Sequence, residues 1–270
     1  MSVLSNCSQP CVSSSRSTLS TGPLRRAVVR PEQIRSITLY AGPKHACGYL
    51  PGRSACSWFV DPALPLTPSL YALLLAQGFR RSGSFVYRPA CPDCTACIPV
   101  RIPVGLFTSR RWAKRNLKKN QDLRLSLHNL GISDNAFELY RKYQRRRHPG
   151  GDMDYANNLE VEGFLYCAWM ERMTLEWHLN DQLVAVSILD EVPNALSAVY
   201  TFFDPDLADR GLGTFAILSA IALARSRGLQ WLYLGYWVEE SPKMLYKARF
   251  QPLECYRDQH WALLGDFPSI

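Results

Sequence analysis

The stretch Asp209-Arg210-Gly211-Leu212-Gly213-Thr214 is a glycine turn between two segments of different character. Ahead of it, residues 174–179, 183–190 and 196–203 are rich in β-branched, aromatic and aliphatic residues and read as three strands. Asn180-Asp181 joins the first two, a hairpin signal because both residues tolerate positive φ. Behind it, a helix is expected over 214–227, stopped by Gly228. Residues 231–238 form the next strand, ending Gly235-Tyr236-Trp237-Val238, and Ser241-Pro242 start one more helix through Lys247.

The resulting order, β-β-β-loop-α-β-α, matches the core of the N-acyltransferase (GNAT) superfamily. The expected fold class is α/β (α+β), with a GNAT-like C-terminal domain over 136–270 and a small cysteine-containing N-terminal domain over 31–135. In such folds a Gly-x-Gly turn aims backbone N–H groups at an anion from a helix N-terminus; here the glycines are Gly211 and Gly213. The plainer reading is a turn needed for close helix–strand contact. The superfamily's pyrophosphate pattern has Gln or Arg three residues before its first glycine. Ala208 stands there, which argues against ordinary acetyl-CoA use. On the last helix, Lys243 and Lys247 share a face at i, i+4 with Tyr246 beside them. Two cations and an aromatic at a cleft suit a phosphate, an RNA end or a carboxylate. Alternatively the lysines are solvated and Tyr236 and Tyr246 belong to the core.

Toward the N-terminus, Thr67-Pro68 caps a helix that Gly78 closes, and strands are expected over 84–88 and 98–104. A basic helix follows from Ser109, carrying Arg110, Arg111, Lys114, Arg115, Lys118 and Lys119. A strand over 123–128 precedes a helix capped by Ser133 and Asp134 and ending Arg145-Arg146-Arg147. Residues 101–149 hold thirteen Lys/Arg against three acids, and residues 150–270 eight against seventeen, so a polyanion belongs on the front half.

Hydrophobic residues make up 47% and charged residues 20% of the 270, enough apolar material for a core. The longest uncharged run, 62–79, is broken by Pro62, Pro65 and Pro68, so no membrane span is expected. Residues 1–30 are Ser-rich and basic and read as a disordered tail, with an organelle transit peptide or an overlong start as alternatives. Nine cysteines, an odd number without a signal-peptide core, point to a reducing, cytoplasmic setting. Cys91-x-x-Cys94-x-x-Cys97 brings three thiols into one loop, with Cys47 or Cys56 as a fourth for zinc or an iron–sulfur cluster. Plain thiols are the alternative.

Five separated motifs carry a resemblance. Cys47-Gly48-Tyr49-Leu50-Pro51-Gly52-Arg53, then Tyr87-Arg88-Pro89-Ala90-Cys91 through Cys97-Ile98-Pro99-Val100-Arg101, then Tyr200-Thr201-Phe202-Phe203-Asp204-Pro205, then Leu212-Gly213-Thr214-Phe215, and Gly235-Tyr236-Trp237 with Lys243-Met244 and Tyr246-Lys247 stand in order. Together they resemble the aminoacyl-tRNA–protein transferase family, especially its bacterial branch, over about residues 35–258. Distant eukaryotic relatives begin Cys-Gly-Tyr-Cys and are reported to bind a metal cluster there; Leu50 replaces the second cysteine here.

The resemblance implies an enzyme that moves leucine from Leu-tRNA to the α-amine of proteins beginning with Asp or Glu, marking them for degradation through the N-end rule. It implies no catalytic cofactor, since the aminoacyl ester is already activated. The polar candidates for the reaction are Tyr236, Tyr246 and Asp204, with backbone N–H groups near Gly235 or Gly211 and Gly213 as oxyanion donors. Arg88, Lys243, Lys247 and Arg249 are candidates for reading the acidic side chain. The basic helix is the expected tRNA contact. Arginyl transfer, an acetyl-CoA-dependent N-acetyltransferase, and an RNA-binding module without catalysis are the alternatives.

Overall fold

A computed structural model describes residues 36–151, 153 and 156–266. The tail expected over 1–30 lies outside the described residues. The front of the chain builds β1 (Leu39–Ala41), the short pair β2 (His45–Ala46) and β3 (Ser54–Ala55), β4 (Ser57–Val60), α1 (Pro68–Ala76), β5 (Arg80–Ser82) and β6 (Phe85–Pro89). Thr67 caps α1, its hydroxyl accepting from Leu70 N at 3.2 Å, with Pro68 in the first turn where no N–H is missed. Strands β1, β4, β6 and β5 form an antiparallel four-stranded sheet in that order. Gly83 turns β5 into β6 at φ +56°, and its N–H donates to Phe164 O at 2.8 Å.

The second half is larger. It comprises β7 (Ile98–Pro103), α2 (Arg111–Lys119), β8 (Arg124–His128), α3 (Asp134–Arg147), α4 (Asn158–Leu165), β9 (Met173–Leu179), β10 (Gln182–Val192), β11 (Ala195–Phe203), α5 (Leu212–Ser226), β12 (Trp231–Trp237), β13 (Glu254–Arg257) and β14 (His260–Leu263). Its eight-stranded sheet runs β14-β13-β7-β12-β11-β10-β9-β8. The hairpin at Asn180-Asp181 is present, with φ of 47° and 65°. Strands from both sides of residue 135 share this sheet, because β7 lies between β12 and β13.

The sheet is covered on both faces. Ala185 and Leu189 of β10 belong to a core with Leu212, Ala216 and Ala220 of α5. Val186 and Ile188 join Tyr140 of α3 and Leu165 of α4 in another. A third core joins α1 and the small sheet to Val192, Ala195 and Tyr233. The expected mixed α/β, GNAT-like architecture is present. The helix expected from Ser241-Pro242 through Lys247 is not α-helical: a turn is followed by a 3₁₀ segment, Leu245–Arg249. α4, opened by a capping box between Asn157 and Glu160, is an addition to the expected elements.

Candidate active site

β11 and β12 are parallel neighbours for only three register pairs, Ala195–Trp231, Leu196–Leu232 and Ser197–Tyr233. Both strands continue, so beyond Ser197 and Tyr233 they part and open a cleft in the sheet. On its other edge β12 pairs Tyr233 with Arg101, then Tyr236 with Pro99. Leu234 and Gly235 thus have no register partner in β7 or β11, a bulge made by Gly235 at φ +70°. The Lys247 ammonium holds the bulge from below, donating to Leu234 O at 2.8 Å and to Tyr236 O. Burial, and then the charge of Arg80, pull its pKa down to about 7.

A narrow cavity of about 10 Å³ sits at the bulge, lined by Gly78, Arg80, Pro99, Val199, Gly235 and Tyr236 among others. Arg80 and Arg81 both line it, and of the two it is Arg80 that has no carboxylate partner among the described residues. Arg80 faces two aromatic rings. Its guanidinium lies 5.9 Å from the Tyr87 ring centre and 6.0 Å from that of Tyr236. Its hydrogen bond is a long one, 3.4 Å from Nη2 to Val199 O, and no carboxylate pairs with it among the described residues. The next residue is the opposite case. Arg81 is buried and binds Asp190 with both arms, Nε to Oδ2 and Nη2 to Oδ1, each at 2.6 Å. Strand alternation sends the two neighbours to opposite faces.

The predicted residues fall in different places. Gly235 is at the centre of the bulge. Tyr236 is buried, and its hydroxyl is shared between Gly78 O at 3.1 Å and Tyr87 O at 3.3 Å. Burial holds its phenol well above the usual range, so it positions the cleft and does not exchange protons easily. Lys247 is brought in and Lys243 is not: Lys243 is exposed. The shared face expected at i, i+4 is therefore corrected. A 3₁₀ segment has three residues per turn, and the carbonyls at the bulge draw Lys247 inward. Tyr246 is 41% exposed, outside the cavity lining.

Asp204 lies elsewhere. It is buried, accepts from Lys142 Nζ at 2.6 Å and caps the following 3₁₀ turn through Asp206 N at 3.0 Å. Arg88 donates to Gln77 O at 3.1 Å and lies 5.0 Å from the Phe79 ring centre. Arg249 lies 4.9 Å over the Trp112 ring. These contacts give Asp204, Arg88 and Arg249 places outside the cavity lining.

The Gly211-Leu212-Gly213 turn lies against α2 and Phe203. Asn116 of α2 donates to Arg210 O at 3.0 Å and Gly211 O at 3.2 Å, and Asn120 donates to Arg210 O at 3.0 Å. A Cβ on Gly211, at φ +63°, would lie 2.9 Å from Asn116 Nδ2, and one on Gly213 would lie 3.2 Å from Phe203. Both glycines are in close contact with neighbouring side chains. The same helix α2 leaves Arg110, Arg111, Lys114, Arg115, Lys118 and Lys119 exposed on its outer side. Lys119 is committed in part, its ammonium donating to Asp209 O at 2.5 Å.

The cysteines named as metal candidates are neighbours. Burial first, then Cys47, Cys91 and Cys94, push the Cys97 thiol up to about 12. Cys47 Sγ accepts from Leu50 N at 3.4 Å, Cys91 Sγ from Cys56 N at 3.5 Å, and Cys94 Sγ from Arg53 Nη1 at 3.5 Å. Among the described residues no three Cys, His, Asp or Glu side chains are grouped to hold a metal ion. All four thiols are free in the structure. Also among the described residues, no helix is long and apolar enough to cross a membrane.

A covered sheet that parts beside a bulged strand, with a glycine turn ahead of its long helix, is the mixed α/β arrangement expected from the sequence. Two sequence families match: arginine-tRNA-protein transferase, N terminus, over residues 45–115, and arginine-tRNA-protein transferase, C terminus, over 135–257. The aspartate/glutamate leucyltransferase of Marinobacter nauticus is 45% identical over 84% of this chain and 96% of its own. That of Teredinibacter turnerae is 44% identical over 85% and 95%, and that of Alkalilimnicola ehrlichii 43% over 86% and 98%. The chain belongs to the aminoacyl-tRNA–protein transferase family and is a transferase enzyme. A GCN5-related glucosamine N-acetyltransferase region of a fungal β-N-acetylglucosaminidase is 11% identical over 60% of this chain and 20% of that one, with a TM-score of 0.39.

Arg80, Tyr87, Asn116 of α2 and Asn120 just beyond it are the residues around the site that sequence reasoning missed. The available signal was Arg80-Arg81, two adjacent cations in a segment, 61–100, that holds three Lys/Arg in all.

Proposed function

We propose that this enzyme transfers leucine from Leu-tRNA to the α-amine of proteins beginning with Asp or Glu. The observation that carries it is the correspondence with the leucyltransferases named above, which runs along nearly their whole length. The cleft supports it. An acceptor amine with a pKa near 8 is partly neutral at neutral pH and attacks the ester carbonyl at the tRNA 3′ end. A C–N bond forms, the ester C–O bond breaks, and the amine's proton leaves with the ribose oxygen. Orientation of amine and ester supplies on the order of 7–11 kcal/mol. The backbone of Leu234 and Gly235, outside the strand ladders, offers N–H donors to the oxyanion.

The exposed cations of α2 take the phosphates of the tRNA. The first family match spans the cysteine loop, Arg80 and the start of α2, and the second spans β11, β12 and Lys247. No step runs through a metal. In a cell the product, with its new N-terminal leucine, passes to the degradation machinery, and the setting is cytoplasmic. The test uses labelled Leu-tRNA and Arg-tRNA with peptides beginning Asp, Glu, Arg and Ala. Leucine is expected on the Asp and Glu peptides alone; transfer from Arg-tRNA, or from neither donor, overturns the reading.

A further inference from the structure

We infer that Arg80 reads the acidic side chain of the acceptor, its guanidinium taking the Asp or Glu carboxylate in the cavity beside Gly235. The inference rests on the leucyl-transfer reading and assigns the specificity within it.

Three observations converge on this arginine. First, it is uncommitted. Arg81, one residue on, spends both arms on Asp190 at 2.6 Å, whereas Arg80 has a 3.4 Å bond to a carbonyl and no acid among the described residues. A cation among aromatic rings is stabilised by their faces but keeps its fork of donors for an anion. Second, it stands where the reaction is placed. A Cβ built on Gly235 would lie 3.2 Å from Arg80 Nη1, so the guanidinium is in contact range of the bulge. In an N-terminal Asp or Glu the α-amine and the side-chain carboxylate are separated by a few bonds. An amine at the bulge therefore has its carboxylate within reach of Arg80.

Third, the charge around it is unbalanced. Lys247, tied to the bulge carbonyls, is close enough for the Arg80 charge to lower its pKa. An incoming carboxylate relieves that repulsion and meets a preformed, poorly hydrated cation. The size of the space selects among anions. At about 10 Å³ it admits a water-sized guest as it stands, and a flat terminal carboxylate would need Arg80, held by one 3.4 Å bond, to shift. A phosphodiester, with chain on both sides, cannot be enclosed there and is met by the exposed cations of α2 instead.

The test is kcat/KM for leucyl transfer to peptides that begin Asp, Glu, Asn or Ala, with the affinity for Leu-tRNA measured separately. The wild-type enzyme should prefer Asp to Asn by about 100-fold or more, since an amide leaves the guanidinium unpaired. Arg80→Gln should bring that ratio within a few-fold of unity and leave Leu-tRNA affinity unchanged. A preserved Asp/Asn ratio, or a loss of Leu-tRNA affinity with the ratio intact, overturns the assignment. Should Arg80→Gln fail to fold, Arg80→Lys decides: a cation of different reach should keep acid preference while changing the Asp/Glu ratio, and an unchanged ratio overturns it. A wild-type enzyme that transfers leucine to no peptide, or to Asn as readily as to Asp, defeats the underlying reading; an acid-selective wild type whose Asp/Asn ratio survives Arg80→Gln defeats this inference alone.

Discussion

Lys247 donates to the carbonyl of Leu234 at 2.8 Å from a position only 8% exposed. A buried ammonium thus fastens the strand that the proposed chemistry uses. Its pKa of about 7 is set by burial and Arg80 and lies below that of a free lysine. From about pH 7 to pH 10 the unfolded chain holds a proton that the native chain has released, so native stability rises with pH through that window. In urea titrations the stability of wild type relative to Lys247→Met should therefore improve from about pH 6.5 to about pH 9. A constant difference would show that this amine does not titrate there.

Gly235 cannot be replaced without consequence. An alanine would hold a left-handed conformation at a cost of about 1–2 kcal/mol, and its Cβ would press on Arg80 Nη1 from 3.2 Å. Gly235→Ala should lower the melting temperature modestly and reduce leucyl transfer to Asp peptides far more than that stability loss explains. Transfer at the wild-type rate would remove the bulge from the mechanism.

Helix α2 has two jobs on two faces. Alanine at Arg111, Lys114, Arg115 and Lys118 together should lower the salt slope of tRNA binding by about 3. Lys119→Ala should change it less than Lys118→Ala does, because the Lys119 ammonium is already bonded to Asp209 O. Fluorescence titrations of tRNA across a salt series measure both, and a slope untouched by the fourfold change would move the RNA to another surface.

The Arg81–Asp190 pair separates structure from specificity. Asp190→Asn leaves a buried guanidinium without its anion and should cost about 3–5 kcal/mol in urea unfolding. The Asp/Asn acceptor ratio of the surviving folded enzyme should stay at its wild-type value. A collapse of that ratio would mean that Asp190 organises the pocket as well.

Cys97, with its thiol pushed up to about 12, carries almost no thiolate near neutrality. In the native protein it should be among the last cysteines modified by iodoacetamide, as read by peptide mass mapping. Early labelling of Cys97 would contradict its placement under the cysteine loop.

What the sequence disclosed was mostly local. Asn180-Asp181 takes positive φ, and Thr67 and Ser133 cap their helices, because each motif carries its own chemistry. Asn157 and Glu160 were equally local signals for α4. The insertion of β7 between β12 and β13 was hidden, since residues 98–103 pair with strands more than a hundred positions away. Lys247 is a cleft cation by its sequence, but the carbonyls of Leu234 and Tyr236 that hold it belong to a strand bulge its own neighbours do not signal. Arg80 and Arg88 carry the same side chain; only the face each presents, and what stands opposite, tells them apart.

Two identical side chains at consecutive positions have a further consequence for β5. A slip of one residue exchanges the faces of a strand, and here it would set one arginine in the other's place. Charge alone would scarcely notice the error. The frame must then be held by something without charge, and Gly83 supplies it. A Cβ there would come within 2.2 Å of Gly163 O, and its N–H is spent on Phe164 O. The turn after the strand accepts one residue only, and so it acts as the ruler against which the pair of arginines is counted.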